Sequence, residues 1–344
     1  MTLRFGILGA GEMGRAYAEI LRTHPDIGHL VAIGGGTRAP ELAARFGVRA
    51  SSPGELIGDP TIDAVVIATP PATHTEYALQ AMVAGKHVHL EKPMAVRTAD
   101  CDRLIANADQ TGKVLSVSSV MRYRGTVASA REAIEQGRVG RVRMMRATFE
   151  WVAYDFSDKP WHLDPANGSP ALNVVSHVHD VIRHLAGDAV EATSAETSFA
   201  GRPAGRSAMS QFMLSGGTMA DAWITYELPP PGLGSSCKYL VVGSDGMLDI
   251  DGYGQTRLGH GEGWEVLYEQ PPFRYRDLLA DEEDLFGPLR LRAFADQLRD
   301  FQRAVVQHTP LPFTARHARA GVAMVEAAER SAREGRTVRV QSTT

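Results

Sequence analysis

The sequence predicts an α/β protein of two domains: a doubly wound parallel sheet, then an α+β domain built on an open, mostly antiparallel sheet. Three observations carry that expectation. Through the first 120 residues, short and almost continuously apolar runs alternate with amphipathic stretches. Near Val120 that rhythm stops, and longer alternating segments punctuated by glycine- and proline-rich turns take over. The chain has 344 residues, which at roughly 150 residues per domain makes about two domains. These readings divide the chain into residues 1–121 and 122–344.

Each element follows from its local pattern. Leu3 to Gly9, His29 to Ile33, Ala64 to Ala68, His87 to Leu90 and Val114 to Val120 read as strands. Between them, Met13 to Leu21, Pro40 to Phe46, Thr75 to Val83 and Ala99 to Ala108 read as helices. Apolar runs such as AVVIA, separated by helical patterns, suit parallel strands covered on both faces by crossover helices. From about Arg141 to Gly259, turns such as SGG, GSDG and PPPG separate alternating strands. One helix interrupts them, Ala171 to Leu185, with Gly168 before it and Gly187 after it. Arg290 to Val306 and Arg316 to Arg333 read as closing amphipathic helices. No internal repeat or low-complexity tract breaks this description.

Composition narrows the class. With 44% hydrophobic and 22% charged residues, 34 glycines and 19 prolines, the chain lies outside the disordered and collagen-like classes. The net charge of −4, from 36 basic and 40 acidic residues, gives no support to a nucleic-acid or anionic-membrane partner. A small neutral or polar ligand fits better. Cys101 and Cys237 show no CxxC or Cys/His spacing, so we expect buried thiols and no metal site. No run of about 18 apolar residues is long enough to span a membrane. The opening MTLRFGILGAG lacks a secretory pattern and reads as mature sequence with the cytoplasm as its address.

Gly9, Gly11 and Gly14 form GxGxxG between the first strand and the first helix, the signature of a Rossmann dinucleotide site. The first glycine permits the turn, the second lets backbone approach a pyrophosphate, and the third allows close helix packing. Glu12 and Met13 then open a helix whose amides face the phosphates. An NAD site commonly has Asp or Glu at the end of the second strand, about 20 residues on. Here LVAI runs into Gly34, Gly35 and Gly36, then Thr37 and Arg38. A guanidinium pairs with a 2′-phosphate that a carboxylate would repel, so NADP(H) is favoured and NAD(H) stays possible. Arg38 could equally stack on adenine or cap the next helix.

ATPPATH, residues 68–74, and EKPM, residues 91–94, follow the next two strands of the sheet. Ligands bind at that carboxyl edge, which makes Thr69, Pro70, His74, Glu91 and Lys92 candidates to surround the nicotinamide. Pro93 fixes its own φ, and an X-Pro bond is where a cis peptide costs little, so Lys92 could be held in a defined pose. In isolation, an exposed lysine starting a helix is the commoner fate.

GAGEMG, ATPPATH and EKPM, in this order and spacing and together with the closing AERSAREGRTVRV, resemble the glucose-fructose oxidoreductase, inositol dehydrogenase and rhizopine catabolism (Gfo/Idh/MocA) family. The likeness covers nearly the whole chain. It implies a Rossmann domain, an open-sheet substrate domain, and oxidation or reduction of a hydroxyl carbon on a sugar, polyol or cyclitol. It also implies catalytic positions at Lys92 and at His177, the latter within a helical D-x-x-x-H pattern whose aspartate is Asn173 in this chain. Residues four apart share a helix face, so Asn173 and His177 would project together, opposite Lys92, while His179 turns away from any metal-like HVHD cluster. Open-sheet faces in this family commonly pair, which implies a homodimer or homotetramer.

These residue types suit the chemistry. Hydride transfer from an alcohol carbon leaves a hydroxyl proton to be removed, and an imidazole near neutral pKa can accept it, which makes His177 the expected base. Lys92 would hydrogen-bond the same oxygen or relay the proton. Asn173 can orient the oxygen but cannot titrate as aspartate does. His177 could instead be a core or capping histidine. Arg122, Trp161 and His162 are expected to shape the substrate pocket, although Trp161 could simply be core. Two other readings stay open: a glycosidic-bond-cleaving enzyme that retains its NAD for transient oxidation, and a catalytically silent dinucleotide-binding protein.

Overall fold

The structure, a computed structural model, describes residues 2–152, 160–168, 170–198, 207–229, 231–232, 237–272 and 282–341. The chain divides into two compact units, Met1–Val120 with Glu282–Arg319, and Met121–Asp281 with Ala320–Thr344.

In the first unit β1 (Leu3–Leu8), β2 (Gly28–Gly34), β3 (Arg49–Ser51), β4 (Ala64–Ile67), β5 (His87–Leu90) and β6 (Leu115–Val117) form one sheet in the order β3-β2-β1-β4-β5-β6. Every pairing is parallel. The crossovers are α1 (Glu12–Thr23), α2 (Ala39–Phe46), α3 (Pro53–Gly58), α4 (His74–Val83) and α5 (Thr98–Thr111). β4 is buried at all four positions, as expected of a strand covered on both faces. The sequence reading lacks β3 and α3, although α3 carries a local signal. Ser52 accepts from the Glu55 amide at 3.3 Å and Glu55 accepts from the Ser52 amide at 2.8 Å, which is a capping box.

The expected division assigned everything after residue 121 to the second domain, yet Glu282–Arg319 belongs to the first unit. That return segment contains α8 (Glu282–Leu285) and α9 (Pro288–Gln307). The reason lies on the inner face of α9. Phe294 meets Tyr17 of α1 edge-on at 6.2 Å, and Phe301 lies 6.2 Å from Phe5 and 5.7 Å from His89. Gln297 completes the β6 edge, accepting from the Ser119 amide at 3.0 Å and donating to the Val117 carbonyl at 2.7 Å.

The second unit begins with α6 (Gly125–Glu135) and β7 (Val142–Val152), followed by α7 (Pro170–Ala186) and β8 (Ala189–Thr197). Then come β9 (Ser207–Leu214), β10 (Met219–Leu228), β11 (Cys237–Gly243), β12 (Met247–Asp251), β13 (Gln255–His260) and β14 (Gly263–Glu269). After α10 (Ala315–Glu334), β15 (Val338–Arg339) closes a nine-stranded sheet in the order β14-β13-β12-β11-β7-β10-β9-β8-β15. β10 runs parallel to β7 and the remaining pairs are antiparallel. This is the open, mostly antiparallel sheet expected from the sequence.

One sheet face buries Met145, Ala147, Phe149, Ala220, Ala222 and Ile224, with Val178, Val181 and Ile182 of α7 also buried. The alternate residues point the other way. Met144, Met209, Met219, Leu240, Met247 and Trp264 are between 39% and 63% exposed, a broad apolar face. Cys101 and Cys237 are both buried and are not joined in a disulfide.

Candidate functional site

Gly9 ends β1 with φ +108°, and its amide donates to the Gly34 carbonyl at 2.8 Å. A Cβ on Gly9 would stand 2.3 Å from the Ala68 carbonyl oxygen, and one on Gly14 would stand 1.8 Å from the Gly9 carbonyl oxygen. Both positions therefore require glycine. Gly11, the N-cap of α1, differs, since a Cβ there would meet Arg38 Nη2 at 3.6 Å and nothing nearer. That open side, against the leading amides of α1, fits the pyrophosphate of a dinucleotide. Thr37 and Arg38 are exposed at the start of α2, with the Arg38 guanidinium standing over the glycine loop.

Around the same carboxyl edge, the residues after β4 and β5 lock one another. Thr73 donates its hydroxyl toward Thr69 Oγ1 at 2.7 Å and the Pro70 carbonyl at 2.8 Å. His74 is fully buried, with Nδ1 2.8 Å from the Pro93 carbonyl and Nε2 2.8 Å from the Thr69 carbonyl. Burial, the largest influence, pushes its pKa below 6.5, against the pull of those two carbonyls and Glu91. Expected to surround the nicotinamide, His74 instead spends both ring nitrogens tying the two loops together. The Lys92–Pro93 peptide is cis.

Glu91 is also buried and faces inward. Its Oε1 accepts the Tyr17 hydroxyl at 2.8 Å and its Oε2 accepts the Lys92 amide at 3.0 Å. Behind Tyr17, His89 Nε2 lies 3.1 Å from the hydroxyl and His89 Nδ1 lies 3.2 Å from Ser116 Oγ. Burial pushes His89 down to about 3 and Tyr17 well above 10, with Glu91 adding to the latter. A neutral His89 then donates from Nε2 to Tyr17 and accepts from Ser116, so the chain of donors ends on the Glu91 carboxylate. The Lys92 backbone is fixed by that carboxylate while its side chain is half-buried. Tyr17, His89 and Ser116 escaped the sequence reading, which placed them only within one helix and two strands.

In the second unit, His177 and Asn173 lie in α7, and His177 is half-buried. The side chain of Asn173 lies outside the described residues. Arg122, expected to shape the substrate pocket, is committed to the same helix. Its Nε and Nη2 donate to Asp180 at 2.8 and 2.6 Å, and its Nη1 lies 3.1 Å from His184 Nδ1. Burial, then Arg122, holds His184 down to about 4. Arg131 adds a bond to the His184 carbonyl at 2.6 Å. Trp161 and His162 stack at 3.7 Å in the turn Pro160–Leu163, both half-buried. His179 turns into the core against Phe212. Among the described residues no cluster of His, Cys, Asp and Glu could hold a metal ion.

A parallel sheet in the order 3-2-1-4-5-6, with a glycine cradle at its carboxyl edge, defines an NAD(P)-binding Rossmann domain. The family model described as "Oxidoreductase family, NAD-binding Rossmann fold" matches residues 3–119, and the "GFO/IDH/MocA C-terminal domain" matches residues 127–249. Together these cover more than two thirds of the chain, which belongs to the GFO/IDH/MocA oxidoreductase family.

Among its relatives, myo-inositol 2-dehydrogenase of Thermotoga maritima is 30% identical over 199 residues. Levoglucosan dehydrogenase of Pseudarthrobacter phenanthrenivorans is 33% identical over 204 residues. These matches take in 57% and 54% of this chain but only 58% and 52% of those proteins, so the chain spans about half the length of these curated relatives. Inositol 2-dehydrogenase of Rhizobium meliloti is 26% identical along 99% of this chain and 100% of its own length. A solved levoglucosan dehydrogenase in complex with NADH and levoglucosan shares the fold, with a TM-score of 0.84 over 99% of this chain and 100% of that one at 20% identity.

Proposed function

We propose that this protein is an NAD(P)-dependent dehydrogenase or reductase acting on a hydroxyl or carbonyl carbon of a sugar, polyol or cyclitol. The observation that carries the reading is Lys92, half-buried at the carboxyl edge of the Rossmann sheet on a backbone fixed by Glu91. When bound, the nicotinamide supplies the hydride chemistry. The backbone of Gly9, Gly11, Glu12, Met13 and Gly14 holds the pyrophosphate end, with Thr69 and Pro70 toward the nicotinamide. Lys92 hydrogen-bonds the reacting oxygen, His177 takes its proton, and Asn173 orients the substrate without titrating. Trp161 and His162 offer a stacked platform to a sugar ring. The inositol and levoglucosan dehydrogenases among the relatives support this substrate class.

Arg38 over the glycine loop, with no carboxylate at the end of β2, supports NADP(H) over NAD(H). The exposed methionine-rich sheet face supports a homodimer or homotetramer, because an apolar area of that extent is rarely left bare. No helix among the described residues is long and apolar enough to cross a membrane, and two buried thiols outside any disulfide suit a cytoplasmic address. The test is turnover of a sugar and cyclitol panel with both cofactors, in the wild type and Lys92→Ala. Stoichiometric cofactor reduction that vanishes in the variant, with cofactor affinity retained, is expected. Undiminished turnover in the variant would overturn the assignment.

A further inference from the structure

The first turn of α1, where the glycine loop presents its amides, carries a carboxylate. Glu12 is the first residue of the helix, a position that suits the helix dipole. The same negative charge, however, sits beside amides disposed to receive an anionic pyrophosphate. Arg290 of α9 answers it. Its side chain is 0% exposed, and its Nη2 lies 2.6 Å from Glu12 Oε1 and 3.7 Å from Met13 Sδ. Nη1 donates to the Leu285 carbonyl at 2.8 Å. Beside it, the Arg15 guanidinium lies 3.9 Å over the Phe286 ring. The segment 285–290 thus grips residues 12–15, while the Gly11 side of the loop stays open. Burying a guanidinium is expensive, and an apolar side chain of similar size would brace the helix at lower cost. A charge at this place points to an electrostatic role.

We propose that Arg290 is a positioning residue for the dinucleotide, neutralising Glu12 so that the field at the α1 N-terminus favours the pyrophosphate. This rests on the reading of the first unit as the cofactor domain. It adds a residue from the return segment, far from the glycine motif in sequence, and it fixes a sign. The charges of Glu12 and Arg290 act on affinity in opposite directions.

The test measures NADPH and NADH dissociation constants by fluorescence, at low and high salt, for the wild type, Arg290→Met, Glu12→Gln and the double variant. Arg290→Met should weaken binding by about tenfold or more, with a deficit that shrinks as salt rises. Glu12→Gln should bind at least as tightly as the wild type, and the double variant should return to within about threefold of it. A purely mechanical brace predicts that both single variants weaken binding, that salt changes neither, and that the double variant is not rescued; that pattern overturns the proposal. If Arg290→Met fails to fold, Glu12→Gln alone decides, because weaker binding there overturns it equally. A wild type that binds neither nucleotide would sink the cofactor reading itself, and this inference with it.

Discussion

Lowering the pH should destabilise the fold through histidines that cannot charge where they are buried, and His179 gives the cleanest measure. Its ring is 0% exposed, neither nitrogen has a hydrogen-bond partner among the described residues, and Phe212 meets it edge-on at 4.8 Å. Burial holds its pKa down to about 3, against 6.5 for an unperturbed histidine. Above pH 6.5 both the folded and unfolded states leave it neutral and its contribution to stability is fully present. Below pH 6.5 the unfolded chain binds a proton that the folded chain refuses, and stability falls by about 1.4 kcal/mol per pH unit until about pH 3. Between pH 6.5 and 4.5 that loss reaches about 2.7 kcal/mol. Urea unfolding of the wild type and His179→Leu at half-unit steps reads it directly. The variant's stability should fall less steeply by one proton's worth over that window. At neutral pH it should also gain about 1 kcal/mol or more, because two orphaned polar atoms leave the core. Parallel pH dependences in the two proteins would refute the reasoning.

Other perturbations follow the same logic. Asp180→Asn breaks a pair whose side chains are only 11% and 8% exposed and should cost about 3–5 kcal/mol in chemical denaturation. It should also lower the His184 pKa further in an NMR titration, since Asp180 is the stronger of the two carboxylates, with Glu135, that pull it up. His74→Leu removes the one imidazole N–H that the Thr69 and Pro93 carbonyls have between them and should cost about 1–3 kcal/mol for the carbonyl left unsatisfied, read as a lower thermal midpoint together with weaker cofactor binding. His308 caps α9 at φ +56°, so His308→Gly should raise stability by up to about 1 kcal/mol in the same denaturation assay.

What was legible in the sequence was whatever obeyed a period or a motif. The strand and helix rhythm marked the parallel sheet because β4 and β5 are short apolar runs between turns, and the glycine spacing located the phosphate loop because only glycine fits Gly9 and Gly14. EKP drew attention to Lys92, whose backbone amide the Glu91 carboxylate accepts. Partnership was harder to see. Arg122 looks like a pocket residue until α7 brings Asp180 to it, and His74 looks like a ligand until both its nitrogens are found on carbonyls. These pairings span 58 residues and 19 residues, beyond any local pattern. A signal for Arg290 did exist, since it shares the helical face of Phe294, Leu298 and Phe301. A charged residue on an otherwise apolar stripe asks for a buried partner.

The pieces of the first unit meet on α1. Its first turn carries Glu12 and Met13, held by Arg290, and one turn beyond Gly14 it carries Tyr17, whose hydroxyl reaches the carboxylate that fixes the Lys92 amide. Phe294, one helical turn after Arg290, packs on the Tyr17 ring. A shift of α1 relative to α9 would therefore disturb the phosphate loop and the Lys92 backbone together, because close-packed interiors transmit displacement rather than absorb it. The return of residues 282–319 to the Rossmann unit has a physical purpose in these terms. The sheet and its crossovers build the carboxyl edge, and α9 sets the helix that serves both ends of it.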